Sequence, residues 1–264
     1  MWEAFISIFI NVLLFIYQVV GNFGVAIILF TLLIRLITHP LTVQQLKGAS
    51  AMQNLQKDKR WIDMQAKYKN DREKLAQEQM ALYKELGISP FSSCLPTLIQ
   101  FPIIIGLYQA VIQALAATPI ELFRLTKHVW GDFLNVGALI PLNSHFLWMD
   151  LSQPERLNLS FLPFGIPVLA IVVTVTTYVQ SKMMSPTTPA AGGQKDQTAM
   201  MSSMMNIYMP LLMGWLAWSL ASGLALYFLA SNLIGILQYA LLGKLNWRNL
   251  LPQKKEVVAK VPKK

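Results

Sequence analysis

The chain has 264 residues, 54% of them hydrophobic and only 13% charged, with a formal net charge of +9. Soluble domains carry about 25% charged residues, so this composition cannot coat a water-soluble globule. Its apolar residues fall instead in long runs of the kind that cross a bilayer. A single cysteine, Cys94, excludes a disulfide within these residues.

Residues 1–20 include the apolar run AFISIFINVLLFIYQVV after Glu3. They open on Trp2 and Glu3 rather than on Lys or Arg, and they end at Gly21-Asn22 rather than at a small-residue cleavage site. The reading adopted is an amphipathic helix in the outer interface, with Asn11 and Gln18 toward water. A spanning helix and a cleaved leader are the alternatives. Five runs then approach the length of about 20 residues that a span requires: 21–43, 91–117, 160–184, 204–221 and 223–243. The LASG between the last two leaves room only for a tight turn, so they form an antiparallel pair.

Residues 44–90 are a different material, charged, Gln-rich and composed of helix formers. They are expected as an antiparallel helical hairpin. Asn70 and Glu73 have capping-box spacing for its second helix, Gly87 stops that helix before Pro90, and Leu75, Leu82 and Leu86 suit the inner seam. Such an arm is either a solvated spacer or a docking surface for a ribosome, targeting factor or translocase. The 118–159 loop offers Trp130, Phe146 and Trp148 for an interfacial aromatic belt. Its His128 and His145 lack helical pairing, so no metal site is expected. No phosphate loop, G-x-S-x-G or HExxH occurs in the sequence, which gives no support for an enzyme or a cofactor.

Charge sets the orientation. The 44–90 segment holds nine Lys/Arg and the 118–159 segment three; Lys182 and Lys195 precede the fourth span across the 185–203 loop; the 244–264 tail holds seven. The positive-inside rule places both basic segments in the cytoplasm and the N-terminus outside.

Arg35 alone is ionisable away from the ends of the five spans, and none of them contains Asp or Glu. A lipid-facing arginine costs about 2.5–3.5 kcal/mol on insertion scales, so Arg35 is expected in a wet chamber lined by neutral polar groups. Thr31, Arg35, Thr38 and Thr42 form one helical stripe. Thr97 and Gln100 in the second span, Thr174, Thr177, Gln180 and Ser181 in the third, and Tyr227, Ser231 and Asn232 in the fifth supply polar neighbours. Methionines around 183–209 suit either helix packing or contact with varied apolar partners. Rival readings are a secondary transporter or channel for a small anion, which predicts internal repeats that are not found, and a structural subunit or lipid scramblase.

Four stretches carry a more specific signal: GNFGVAIILFTLLIRLITHPLT, MALYKELGISPFSSCLPTLIQFPIIIGLY, YVQSKMMSPTT and SGLALYFLASNLIGILQ. In this order they resemble the YidC family of membrane protein insertases, in a short form without a large extracytoplasmic domain. The resemblance implies a bacterial inner-membrane protein whose five helices enclose a groove open to cytoplasm and lipid and closed toward the outside. It implies no cofactor, and as partners nascent membrane proteins, the ribosome, the Sec translocon, signal recognition components and lipids. It places substrate-groove residues at Arg35, Thr31, Gln100, Gln180, Tyr227 and Phe228, to which the polar pattern adds Ser231. Phe228 stands where relatives often carry Tyr or Trp, and PFSSC replaces the usual PLGGC before the second span.

Overall fold

The structure, a computed structural model, describes residues 2–68, 71–87, 95–115, 123, 125, 127–130, 142–157, 165–184 and 197–243. Its helices are α1 (Trp2–Val20), α2 (Phe23–Ile37), α3 (His39–Lys57), α4 (Lys59–Lys67), α5 (Arg72–Glu85), α6 (Leu95–Ala114), α7 (Val168–Met184), α8 (Gln197–Ser219) and α9 (Ser222–Leu241). A two-stranded antiparallel ribbon, β1 (His145–Phe146) and β2 (Met149–Asp150), interrupts an otherwise helical protein. By length and composition α1 and α9 can each cross a membrane, as can α2 and α3 taken together, while α6, α7 and α8 hold the shorter apolar stretches Phe101–Ala114, Val168–Met183 and Ile207–Ser219.

Helix α1 buries Ile6, Phe9, Ile10, Leu13, Leu14 and Tyr17, the i, i+3, i+4, i+7 pattern of one helical face. That face packs on α2 and α6, with Phe9 edge-on to Phe30 and Tyr17 edge-on to Phe23. The opposite face is apolar rather than polar, exposing Ile8, Phe15 and Val19. Gln18 faces outward as expected, but Asn11 does not: it is buried. Its amide donates to the carbonyls of Ser7 and His128 and accepts from Trp130 N. A buried amide needs partners, and the backbone around residue 128 supplies them.

The first expected span is not straight. Asn22 caps α2, its side chain accepting from Val25 N, but after Ile37 the chain bends by 56° into α3. Pro40 explains the break. It lacks the N–H that would bond Leu36, and its ring crowds the preceding turn. Thr38 N still reaches Ile34 O and Thr42 N reaches Thr38 O, so the backbone bonds continue around the corner.

Residues 58–87 build a small unit of their own. Asp58 caps α4 and Asp71, not Asn70, caps α5, accepting from Lys74 N; residue 70 lies outside the described residues. Gly87 has a φ of +63° and donates to Lys84 O, the left-handed C-terminal stop that glycine permits. Arg60, at the start of α4, meets Glu85, at the end of α5, at 3.0 Å. The seam differs from the leucine row. The Trp61 ring lies 5.6 Å from that of Tyr83, tilted by 33°, and packs with Leu55, Met64 and Leu82, while Leu86 is exposed. The two aromatic rings supply the largest side chains of this cluster, with Leu55 and Leu82 packed around them.

The last two helices turn within Leu220 and Ala221, as the tight LASG link requires. The first N–H groups of α9 have no partners within the helix, and the ribbon provides them. Ser222 N donates to Gln153 O at 2.8 Å, Gly223 N to Leu151 O at 3.1 Å, and Ser222 Oγ to Asp150 O at 2.6 Å. Gly223 allows this approach, since an added Cβ would lie 2.9 Å from Val111 and 3.2 Å from Leu151 O. On α2, Gly24 lies directly beneath the Phe146 ring. Residues Phe146 to Gln153 therefore hold the ends of α2 and α9 together.

Substituting Trp61 by Ala should cost about 3–5 kcal/mol locally. The expected outcome is faster tryptic cleavage within 58–87, with the thermal midpoint of the remaining bundle unchanged. Asp150 is partly buried, which alone would raise its pKa, but hydrogen bonds from Ser152 N, Ser152 Oγ and Ser144 outweigh this and hold it below the usual carboxylate value. The ionised form thus stabilises the ribbon at pH above the ordinary Asp range, and the stabilisation disappears as pH falls through the lowered native value. Protection of Ser152 N against hydrogen exchange, taken relative to the intrinsic rate at each pH, should fall over that acid window in the wild type and not in Asp150→Asn.

Candidate functional site

Helix α2 carries Arg35 in its last turn, immediately before the bend. The side chain is partly buried and reaches across to α9. Its Nε donates to Ser231 Oγ at 3.2 Å, and its Nη2 donates to Ser231 Oγ at 2.6 Å and to Ser231 O at 2.8 Å. Arg35 makes no ion pair among the described residues. The cation is held by a hydroxyl and a helix carbonyl, both neutral, as the absence of acidic residues from the spans demanded.

Helix α7 approaches from the other side. Gln180 Nε2 and the guanidinium both crowd Gly235: a Cβ added there would lie 2.6 Å from Gln180 Nε2 and 3.4 Å from Arg35 Nη2. One turn further, Gln238 Nε2 donates to Arg35 O at 3.2 Å, satisfying a carbonyl at the end of α2. The Oε1 of Gln238 is buried without a hydrogen-bond partner among the described residues. Asn232, on the adjacent face of α9, donates to Thr177 Oγ1 at 2.8 Å and Thr176 Oγ1 at 3.2 Å.

Arg35, Gln180 and Ser231 are thus brought together. Thr31, Tyr227 and Phe228 are not on an accessible face: Thr31 is fully buried with its hydroxyl bonded to Ile27 O, and Tyr227 and Phe228 lie in the apolar core with their rings 5.8 Å apart. Thr38 and Thr42 likewise bond the carbonyls of Ile34 and Thr38, the usual use of threonine inside membrane helices. The Gln100 side chain and those of residues 200–206 in the methionine cluster lie outside the described residues; Met183 is buried in packing contacts. Lys182 lies 5.7 Å over the Tyr178 ring, a cation–π contact. Sequence reasoning missed Gly235 and Gln238. The signal was present in SNLIGILQ, where positions 231, 235 and 238 share one face, but a glycine has no polarity to mark it.

The profile described as 60Kd inner membrane protein matches residues 15–248. The chain belongs to this, the YidC family. It is 32% identical over 252 residues to a membrane protein insertase YidC of Clostridium tetani, covering 94% of this chain and 95% of that one. It is 32% identical over 241 residues to one of Syntrophobacter fumaroxidans, covering 90% of this chain but only 37% of that relative's length. Among solved structures it resembles an active YidC insertase crystal structure with the first transmembrane domain resolved, at a TM-score of 0.54 and 26% identity, over 88% of this chain and 46% of that one. A YidC-family chain with these apolar helices is a multi-pass protein of the cell membrane.

In this YidC-family bundle, Asn232→Ala removes two bonds between α7 and α9. Interhelical bonds in membranes average about 0.6 kcal/mol each, so the variant should show a small but measurable fall in thermal midpoint in detergent, and Asn232→Gln a partial recovery.

Proposed function

We propose that this protein is a membrane protein insertase and chaperone, in which Arg35, Gln180 and Ser231 form the polar wall of a substrate groove between α2, α7 and α9. The observation that carries the reading is an arginine inside a helical bundle held, among the described residues, by neutral acceptors. A cation so placed keeps its charge available to a passing carboxylate. Gln100, Thr31, Tyr227 and Phe228 complete the groove, the last three by shaping its floor from within the packed core.

The five spans are 21–43, with its bend at Thr38, then 91–117, 160–184, 204–221 and 223–243. The 44–90 hairpin and the basic 244–264 tail lie in the cytoplasm, and the N-terminus lies outside. Helix α1 lies across the outer end. Support for this comes from Glu3, Ser7 and Asn11, which meet His128, and from Tyr17, which accepts from Asn143 N; both partners lie between α6 and α7 in the chain. Exposed Phe15 and Val19 then dip into lipid.

A polar tail must otherwise cross about 30 Å of hydrocarbon. A groove with a fixed cation shortens that dry path, and the membrane potential adds about 2.3 kcal/mol per 100 mV for each negative charge moved outward. Apolar substrate segments leave sideways into lipid, where α2 exposes Leu29, Leu32 and Leu36 and α8 exposes Leu211, Trp215 and Trp218. No nucleotide takes part. The hairpin and tail meet the ribosome, signal recognition components and the Sec translocon.

The test is insertion of single-span substrates into proteoliposomes. Arg35→Ala should lower insertion of a substrate with two Asp in its translocated tail by about tenfold, the scale of a lost charge-assisted contact, and leave the Asn-for-Asp version near wild type. Equal insertion of both substrates by both proteins would refute the role given to Arg35.

A further inference from the structure

We propose that Ser231 and Gly235 form a notch on α9 that positions the Arg35 guanidinium, so that Gly235 is a positioning residue for insertion. The inference rests on the reading of Arg35 as the substrate-facing cation. In an α-helix the carbonyl of residue 231 accepts from the N–H of residue 235. The Cβ of a residue tilts toward the helix N-terminus. Any side chain at 235 therefore stands over the second lone pair of the Ser231 carbonyl, the one that Arg35 Nη2 uses at 2.8 Å.

Glycine leaves that lone pair open. The absent Cβ is the space in which Arg35 Nη2 and Gln180 Nε2 converge, 3.4 Å and 2.6 Å from where it would lie. Gly235 is itself buried. The notch engages Nε and Nη2, while Nη1 makes no bond among the described residues. A guanidinium carries five donors in a fixed plane, so holding one edge determines where the other points. The notch thus presents the Nη1 edge to an incoming carboxylate, and it does so without a carboxylate of its own that would neutralise the charge.

The residues separate by size. An alanine at 235 meets chiefly Gln180 Nε2, the end of a flexible side chain that can turn aside, whereas a leucine fills the notch. Two readouts test this in the full-length protein in micelles and proteoliposomes. The first is solvent exchange of the Arg35 Nε–H in the 15N-arginine spectrum, assigned by its loss in Arg35→Lys. Exchange should accelerate about tenfold in Gly235→Leu, the size expected for losing a hydrogen bond to a charged group. The increase should be smaller in Gly235→Ala, and Ser231→Ala should show a comparable rise that Ser231→Thr reverses. The second is insertion of the two-Asp substrate and its Asn version. Gly235→Leu should match Arg35→Ala on the first substrate, leave the second unchanged, and add nothing to Arg35→Ala in the double variant.

Should Gly235→Leu fail to fold, the Ser231→Ala and Ser231→Thr pair carries the same comparison. Unchanged Nε–H exchange in the folded variants overturns the notch, whatever Arg35→Ala does. Faster exchange together with an Arg35→Ala protein that inserts both substrates normally would keep the notch and remove the insertion reading beneath it.

Discussion

The architecture depends on keeping one guanidinium charged in a bundle that offers it no carboxylate. An arginine in hydrocarbon must be hydrated, paired or solvated by protein dipoles. Here Ser231 supplies the dipoles, with a hydroxyl and a main-chain carbonyl at 2.6 and 2.8 Å from Nη2. A salt bridge would hold the side chain more firmly, but it would cancel the charge and leave nothing for a ligand. Neutral acceptors hold position and preserve field. This choice brings α2 and α9 close together, and two glycines leave room for it, Gly235 beside the guanidinium and Gly223 where α9 meets Ile27 of α2, Val111 of α6 and Leu151 O.

How far the sequence revealed this depended on the kind of signal. Hydropathy and charge were enough to mark the helical segments, and the isolated Arg35 was conspicuous because charge inside an apolar run has no local explanation. The tight turn before α9 followed from four residues. The bend at Thr38 was also available, since Pro40 stands where the run should continue, but the hydropathy of 21–43 concealed it. Asn11 was misread for a related reason. A single amide on an apolar helix looks solvent-seeking until a distant backbone, near residue 128, offers it bonds.

The site residues divide in the same way. Arg35, Gln180 and Ser231 were legible as polar exceptions and do meet. Thr31, Thr38 and Thr42 formed a convincing stripe, yet each spends its hydroxyl on the carbonyl four residues back, which periodicity cannot distinguish from facing a chamber. Gly235 and Gln238 act through absence and through capping, and neither property appears in a one-dimensional pattern. The hairpin seam shows the same limit: leucine spacing suggested one line of contact, and the larger area of Trp61 and Tyr83 chose another.

The tethering of α9 at its N-terminal end has a mechanical corollary. Sliding this helix along its axis would strip Ser222 and Gly223 of the carbonyls of Leu151 and Gln153, whereas tilting it about that end breaks neither bond. Farther along, the bonds of α9 to its neighbours run through the side chains of Arg35, Asn232 and Gln238, so a tilt exchanges side-chain bonds while the main-chain anchor at Ser222 and Gly223 holds. Rotation about one fixed end, not translation along the axis, is the displacement that this anchoring permits.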